Sequence, residues 1–362
     1  MNDRERFVAC ILGEPVDRPP FWLFWGPWET TWRRWRAEGL DLPDFGAVRR
    51  QFDPDTSPAV VGVNCGPCPK FDRLVIEEDD EYVTWIDTWG IKRRNPKASE
   101  SMSQFLEFPV KDRAGWEAYR DQRLNPDDPD RLAGDWRARS AAHVERGTPI
   151  QFGYYPDLGV FGSVRWLLGD EECLLAFYTD PALVHDIMDH VTGLYLTLLE
   201  KVAREVRVDV IHIWEDMCGR QGPLISPKHW EEFMGPCYRR LRNFARDHDI
   251  HVISVDTDGN PDLIIPPMMA GGVNYLYPME VAAGCDVNAA RSRHPGLALM
   301  GGIDKRALAE GPEAIDRAVE RVRPAVDAGR YVPALDHCIP DDVSYENWCH
   351  YARRLKELVG KE

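Results

Sequence analysis

No apolar run in the 362 residues reaches the length of about 18 that a membrane-crossing helix requires. The amino-terminal stretch also lacks the basic start, apolar core and small-residue cleavage site of a secretory leader, so a cytoplasmic location is expected. Positive charge is scarce. The 44 Lys and Arg stand against 60 Asp and Glu, a net charge of −16. Nucleic acid is therefore not an expected partner, because such binding rests on clustered cations that neutralise phosphates. The acidic balance otherwise speaks only to solubility. Nine cysteines, at 10, 65, 68, 173, 218, 237, 285, 338 and 349, are an odd number scattered over a long chain, which excludes a disulfide framework. Cys65-Gly-Pro-Cys68 has the spacing of a redox or zinc pair, but no second ligand pair follows nearby, and it reads as a tight loop.

What is present suits a folded enzyme-sized body. A chain of 41.4 kDa, 44% hydrophobic and 29% charged, is long enough for a full α/β barrel or two smaller domains. The stretch from Val208 to Gly219 reads as a buried strand that stops on two adjacent carboxylates, Glu215 and Asp216, before a glycine turn. Its apolar positions, Val208, Val210, Ile211, Ile213 and Trp214, form the short β-branched run that a parallel strand covered on both faces needs. The carboxyl ends of such strands are where α/β sheets and barrels bind ligands, although two solvated loop acids would look the same in isolation.

From residue 148 the pattern repeats. Strands are expected at 149–152, 208–214, 250–255, 273–277, 297–301 and 331–335. Helices are expected at 167–177, 181–204, 227–247 and 312–328, and starting at Asp262, Val287 and Tyr345. Upstream lie a helix over Asn2–Leu12 closed by Gly13, an extended lead-in from Pro15 to Pro20, a first strand at Phe21–Trp25 and a helix from Trp28 to Gly39. Residues 71–94 predict an antiparallel hairpin, and the charged stretch 111–147 predicts surface helices. Repeated β–loop–α units mean a parallel sheet with right-handed crossovers. The expected fold is one domain over 1–362, a (β/α)8 TIM barrel with an N-terminal hairpin and charged insertion around 65–147. About seven of the barrel strands are visible, so an eighth is short or missed. Trp22, Trp25, Trp28, Trp32 and Trp35 make the N-terminal region aromatic; most suit a core, while one or two facing a cleft would wall a substrate.

The residues just past the strand ends are Tyr154 and Tyr155, Glu215 and Asp216, Asp256 and Asp258, Glu280, Asp304, and Asp336, His337 and Cys338. A barrel brings these to one mouth. So many carboxylates cannot all stay ionised and close together. A metal or a cationic substrate must neutralise them, or some have raised pKa values and act as general acids. A mixed set of Asp256, Asp258, Glu280, His337 and Cys338 is compatible with Zn²⁺, and carboxylates alone with Mg²⁺ or Mn²⁺. Simpler roles compete: Asp258-Gly259-Asn260 and Asp304 can each cap a helix, and Cys338 can be a buried apolar residue.

Several stretches resemble the uroporphyrinogen decarboxylase superfamily over nearly the whole chain. They are Arg4-Glu-Arg with Gly13-Glu-Pro-Val-Asp-Arg-Pro-Pro20, Ile213-Trp-Glu-Asp-Met-Cys-Gly219 with Leu224-Ile-Ser-Pro227, Pro278-Met-Glu-Val281, Gly301-Gly-Ile-Asp-Lys305, and Asp336-His-Cys-Ile-Pro340 with Glu346-Asn347. The resemblance implies a barrel enzyme, and homodimers are common in the superfamily. True decarboxylases hold the acidic arms of a tetrapyrrole with an arginine-rich segment after the first strand. This chain has Trp25-Gly-Pro-Trp-Glu-Thr-Thr-Trp there, with no cationic fork for carboxylates. His337 matches the family's C-terminal histidine, while Glu215 and Asp216 stand where the decarboxylases have an aspartate-serine pair. The other large branch moves methyl groups between small molecules and a corrinoid protein, using zinc on His-x-Cys-Gly plus a late cysteine. The corresponding positions are Asp256-Thr-Asp258-Gly259 and Cys338, a match weakened by two aspartates.

The resulting expectation is methyl transfer from a methoxy-aromatic or methylamine-type compound to a corrinoid or folate carrier. Asp256, His337, Glu215 and Asp216 would be catalytic, with Trp22, Trp25, Tyr154, Tyr155 and Asp304 around the substrate. Zn²⁺ or another divalent metal would sit on the mixed set, and a corrinoid protein would be the partner. The alternative is a carboxy-lyase acting on a small non-tetrapyrrole acid.

Overall fold

The computed structural model describes residues 1–97 and 103–362. In chain order the strands are β1 (Ala59–Val60), β2 (Leu74–Glu78), β3 (Tyr82–Ile86), β4 (Lys92–Pro96), β5 (Gln104–Glu107), β6 (Ile150–Phe152), β7 (Val210–Trp214), β8 (Cys218–Gly219), β9 (Gly222–Pro223), β10 (Val252–Asp256), β11 (Tyr275–Met279), β12 (Ala298–Ile303) and β13 (Tyr331–Leu335). Seven of them form one parallel sheet in the order β1-β6-β7-β10-β11-β12-β13. Helices fill the crossovers, as a parallel sheet demands.

The N-terminal segment completes the barrel. Pro27 bridges Ile339 beyond β13, with Ile339 N donating to Gly26 O at 3.0 Å and Trp28 N to Ile339 O at 3.2 Å. On the other side Asp55 N donates to Phe21 O at 2.9 Å. The first strand expected at Phe21–Trp25 is thus extended chain held by scattered contacts and not a ladder strand. Pro19, Pro20 and Pro27 remove the donors a ladder would need. The strand missing from the sequence reading is β1, whose two residues are too few to show a pattern.

Strand alternation sorts the side chains. Ile253 and Val255 of β10 join the large core between sheet and helices, whereas Val252 packs inside the barrel. The register sets Ser254 against His212 and Asp256 against Trp214 on one side, and against Tyr275 and Tyr277 on the other. The helix Asp3–Leu12 closes the lower end, placing Phe7, Cys10 and Ile11 against Val210, Tyr275, Met300 and Val332. Its start is fixed by a capping box between Asn2 and Glu5, and its end by Gly13 at φ 69°.

The helix Pro181–Ala203 shows why the outer layer holds. Leu183, Ile187, Val191, Leu194, Leu198 and Val202 recur at helical spacing and are buried. Each such side chain contributes about 1.5–3 kcal/mol on burial. Two expected helices are interrupted. The one at 167–177 becomes Phe161–Leu168 and Asp170–Thr179, broken at Gly169, where φ is 89°. The one at 227–247 carries a π turn over Trp230–Met234, just before Pro236, whose missing N–H breaks the regular bonding pattern. The expected hairpin is wider than foreseen: β3 and β4 are flanked by β2 and β5 in a four-stranded antiparallel sheet. Among the described residues no helix is long and apolar enough to cross a membrane.

Candidate active site at the carboxyl ends of the barrel strands

β7 ends on two carboxylates that go separate ways. Glu215 is fully buried and accepts from Tyr238 Oη at 2.6 Å, Gly162 N at 3.0 Å and Val160 N at 3.2 Å. It therefore holds the start of the helix Phe161–Leu168 and points away from the mouth. Burial raises its pKa to about 7, against the pull of Tyr238 and the two amides. This contact is possible because Gly162 is small: a Cβ there would sit 2.6 Å from Trp214 O. Asp216 turns the other way, with a left-handed backbone at φ 42°. Its carboxylate pairs with Arg165 Nη1 at 2.9 Å, and Arg165 also donates to its carbonyl and to Asp170 at 2.6 Å. Burial raises the Asp216 pKa, Arg165 pulls it down, and Asp258 pushes it up again.

Asp256, at the end of β10, is the floor of the mouth. Among the described residues nothing hydrogen-bonds its carboxylate. Burial, then Asp258 and Asp216, push its pKa well above the carboxylate range, and His337 only partly offsets them. Beneath it lies a neutral polar layer. His212 Nδ1 meets Ser254 Oγ at 2.9 Å and Tyr277 Oη at 3.1 Å, and burial lowers the His212 pKa to about 3. Thr257 Oγ1 accepts from Met217 N at 2.9 Å, tying the β7 and β10 loops together.

From β13, Asp336 is fully buried and accepts from Val281 N at 2.9 Å and Lys305 N at 3.0 Å, so it clamps the two neighbouring loops. His337 stacks on Trp25 with centroids 5.0 Å apart at 15°, and its Nε2 lies 3.7 Å from Asp258. Burial works against the imidazolium, but Asp258 and Cys338 outweigh it and raise the His337 pKa. Trp25 Nε1 and His337 Nδ1 are buried without partners among the described residues. Phe24 packs edge-on against Trp25 at 5.0 Å and against Tyr277 at 5.9 Å.

The structure thus brings together Asp256, Asp258, Asp216, His337 and Trp25. Tyr154 and Tyr155 stand at the rim, 59% and 42% exposed, with Tyr155 edge-on to Trp214 at 4.9 Å. Beside them a cleft of about 330 Å³ shares Gly153 and Tyr154 with the rim, but it does not contain the acid floor. Three expected residues have other places. Glu215 is engaged as above. Trp22 is buried inside the barrel, 5.1 Å from Phe7, because it follows the inward alternation of Phe24. Asp304 is engaged by Arg306 through its backbone N at 3.0 Å, Nε at 2.9 Å and Nη2 at 2.8 Å, in a turn ahead of the helix Ala307–Glu310, whose cap position is Arg306 and not Asp304. Phe24, Tyr277 and Tyr238 were not foreseen. The alternation Tyr275-Leu-Tyr277 in β11 carried the signal for Tyr277.

The proposed metal set does not assemble. Among the described residues no three His, Cys, Asp or Glu side chains gather as metal ligands. Glu280 accepts from Gly259 N at 3.0 Å, and Asp258 meets His337 as an ion pair. These donors do not fit a zinc site, and no chemistry is derived through one.

A parallel barrel with an acid of raised pKa on the floor of its carboxyl-end mouth has the architecture of an α/β barrel enzyme. The family model described as uroporphyrinogen decarboxylase (URO-D) matches residues 169–358, just over half of the chain. The chain belongs to the uroporphyrinogen decarboxylase family. It is 24% identical to the uroporphyrinogen decarboxylase of Anaeromyxobacter dehalogenans over 94% of this chain and 95% of that one. It is 26% identical to that of Geobacter metallireducens, each chain being covered completely. Among solved structures it is similar in fold to a methyltransferase from Methanosarcina mazei, with a TM-score of 0.61, 15% identity and 99% of both chains covered.

Proposed function

We propose that the protein moves a methyl group from a small methylated compound, of methoxy-aromatic or methylamine type, to a corrinoid or folate carrier. The observation that supports this is Asp256: an acid whose carboxylate has no hydrogen-bonding partner among the described residues, with a pKa pushed well above its ordinary value, at the floor of an acidic mouth. That environment raises its affinity for a proton and suits it to act as the acid. When the acceptor's nucleophile bonds to the methyl carbon of an ether, the carbon–oxygen bond breaks and its electron pair goes to oxygen. Asp256 gives that oxygen its proton and is reprotonated from solvent. The product is an alcohol or phenol, and the methyl leaves on the acceptor.

Asp216, Asp258 and His337 set the proton affinity of Asp256, while Glu215 positions the helix that carries Arg165. Trp25, stacked on His337, and the rim residues Tyr154 and Tyr155 offer faces for an aromatic ring. With an ammonium donor the same acids act as a cation clamp, aided by cation–π contact. Few cations are free to hold a substrate's carboxylates here, since Arg165 is engaged by Asp216 and Asp170 and Arg93 by Asp87. A cytoplasmic setting, a corrinoid-protein partner and a homodimer belong to this proposal.

A carboxy-lyase acting on a small non-tetrapyrrole acid is the second reading. It is favoured by the family and by the same proton donor, which could protonate a carbanion left by CO₂ loss. One experiment separates them. The protein is given methoxy-aromatic donors with a reduced corrinoid carrier, and in parallel small aromatic acids without carrier. Phenol release that depends on carrier and is lost in Asp256→Asn supports methyl transfer. CO₂ release without carrier contradicts it.

A further inference from the structure

A second polar hollow lies outside the mouth. A cavity of about 280 Å³ opens on the barrel flank between Trp22–Phe24 and the loop leading into β1. It exists because the ladder is missing there: the two segments are joined through Asp55 N and Phe21 O. Arg49 and Arg50 form part of its wall. Among the described residues neither has a carboxylate at ion-pairing distance. Arg49 donates to Leu23 O at 3.2 Å and lies over the Phe45 ring, and among the described residues its Nε and Nη2 have no hydrogen-bond acceptor.

The acids nearby are engaged elsewhere. Asp55 takes two 2.6 Å bonds from Arg18, one of 2.9 Å from Phe21 N and one of 3.2 Å from Lys361. Asp53 pairs with Lys361 at 3.2 Å, and Asp44 caps Ala47 N at 2.6 Å. Burial and then Arg50 lower the Arg49 pKa, and Asp44 offsets this only in part. Other buried guanidiniums are paired with carboxylates, as Arg18 and Arg6 are with Asp55 and Arg165 with two, or are met by several backbone carbonyls, as Arg131 and Arg291 are, whereas Arg49 has the single carbonyl of Leu23. Phe24 forms part of the wall, and its ring also meets Trp25 and Tyr277.

We propose that this cavity is an anion subsite in which Arg49 and Arg50 take the carboxylate or phosphate head of a small ligand whose flat apolar body lies against Phe24. Guanidinium forks bind such heads through paired charge-assisted bonds. The proposal is independent of the methyl-transfer reading, because it is tested by binding alone.

Titration calorimetry on the whole protein with benzoate, inorganic phosphate and benzylamine tests it. Benzoate or phosphate is expected to bind saturably to the wild type, and benzylamine not. The Arg49→Gln, Arg50→Gln double variant is expected to bind the anion about tenfold more weakly or worse. Ser57→Glu, which keeps both arginines but places a negative charge at the cavity wall, should weaken it too and guards against simple misfolding. Tighter benzoate binding assigns the head to an organic acid, and tighter phosphate binding to a phosphate; both support the site. No anion binding, equal binding of benzylamine, or binding unchanged in both variants overturns it.

Discussion

Glu215 and Asp256 stand at the ends of neighbouring barrel strands, and burial pushes both carboxyls up. They differ in what surrounds their oxygens. Glu215 is met by a phenol and two amides at 2.6–3.2 Å, while Asp256 feels the charges of two other acids and an imidazole and has no hydrogen-bond donor among the described residues. The first arrangement fixes a helix and the second raises proton affinity. A raised pKa alone does not tell a catalytic acid from a structural one; the hydrogen-bond partners do.

The largest expected effect falls on Asp256. Asp256→Asn should lower turnover about 10²–10⁴-fold, the range for losing a general acid, with no loss of thermal stability. Because the acid form is required, wild-type activity should fall as pH rises through the raised pKa of Asp256, at higher pH than an ordinary aspartate would set. Equal loss of stability and turnover would erase the contrast with Glu215.

Glu215→Ala should instead cost about 2–4 kcal/mol in urea denaturation, by leaving Tyr238 Oη and two buried amides unpaired. Its pH signature is separate. The folded pKa of about 7 lies above the ordinary 4.5, so Glu215 favours the folded state fully below the ordinary value, and that contribution is lost as pH rises through about 7. Glu215→Gln should remove this fall, seen as a flatter stability curve over the same window.

Two neighbours should move the Asp256 titration in opposite directions. Asp258→Asn removes a charge that raises Asp256, so the alkaline limb of the activity profile should shift to lower pH. His337→Gln removes a charge that lowers it, so the limb should shift to higher pH. Shifts of the same sign would mean that another group sets the profile. The smallest effect is expected for Asp304→Asn, a surface pair with Arg306, at about 0–1 kcal/mol and with unchanged turnover.

Much of the fold was legible because parallel strands and amphipathic helices carry their period in the sequence. The strand starts and the acids at their ends followed from that period. β1 was not legible, since two residues have no period, and Phe21–Trp25 looked like a strand because prolines show only that a ladder is weakened. Within the site, sequence could list the acids but could not orient them. Glu215 and Asp216 are adjacent and chemically alike, and strand alternation together with the left-handed backbone at Asp216 sends them to different sides. Trp22 and Trp25 were equally aromatic, yet one fills the barrel and the other stacks on His337. The metal set failed for the same reason: residues at one mouth need not converge on one point.

The most direct test of the central claim is infrared difference spectroscopy of the wild type against Asp256→Asn across a pH titration. The account expects a protonated carboxyl band that the variant lacks and that persists to higher pH than an ordinary aspartate allows. A wild-type spectrum in which Asp256 ionises in the ordinary aspartate range would contradict it.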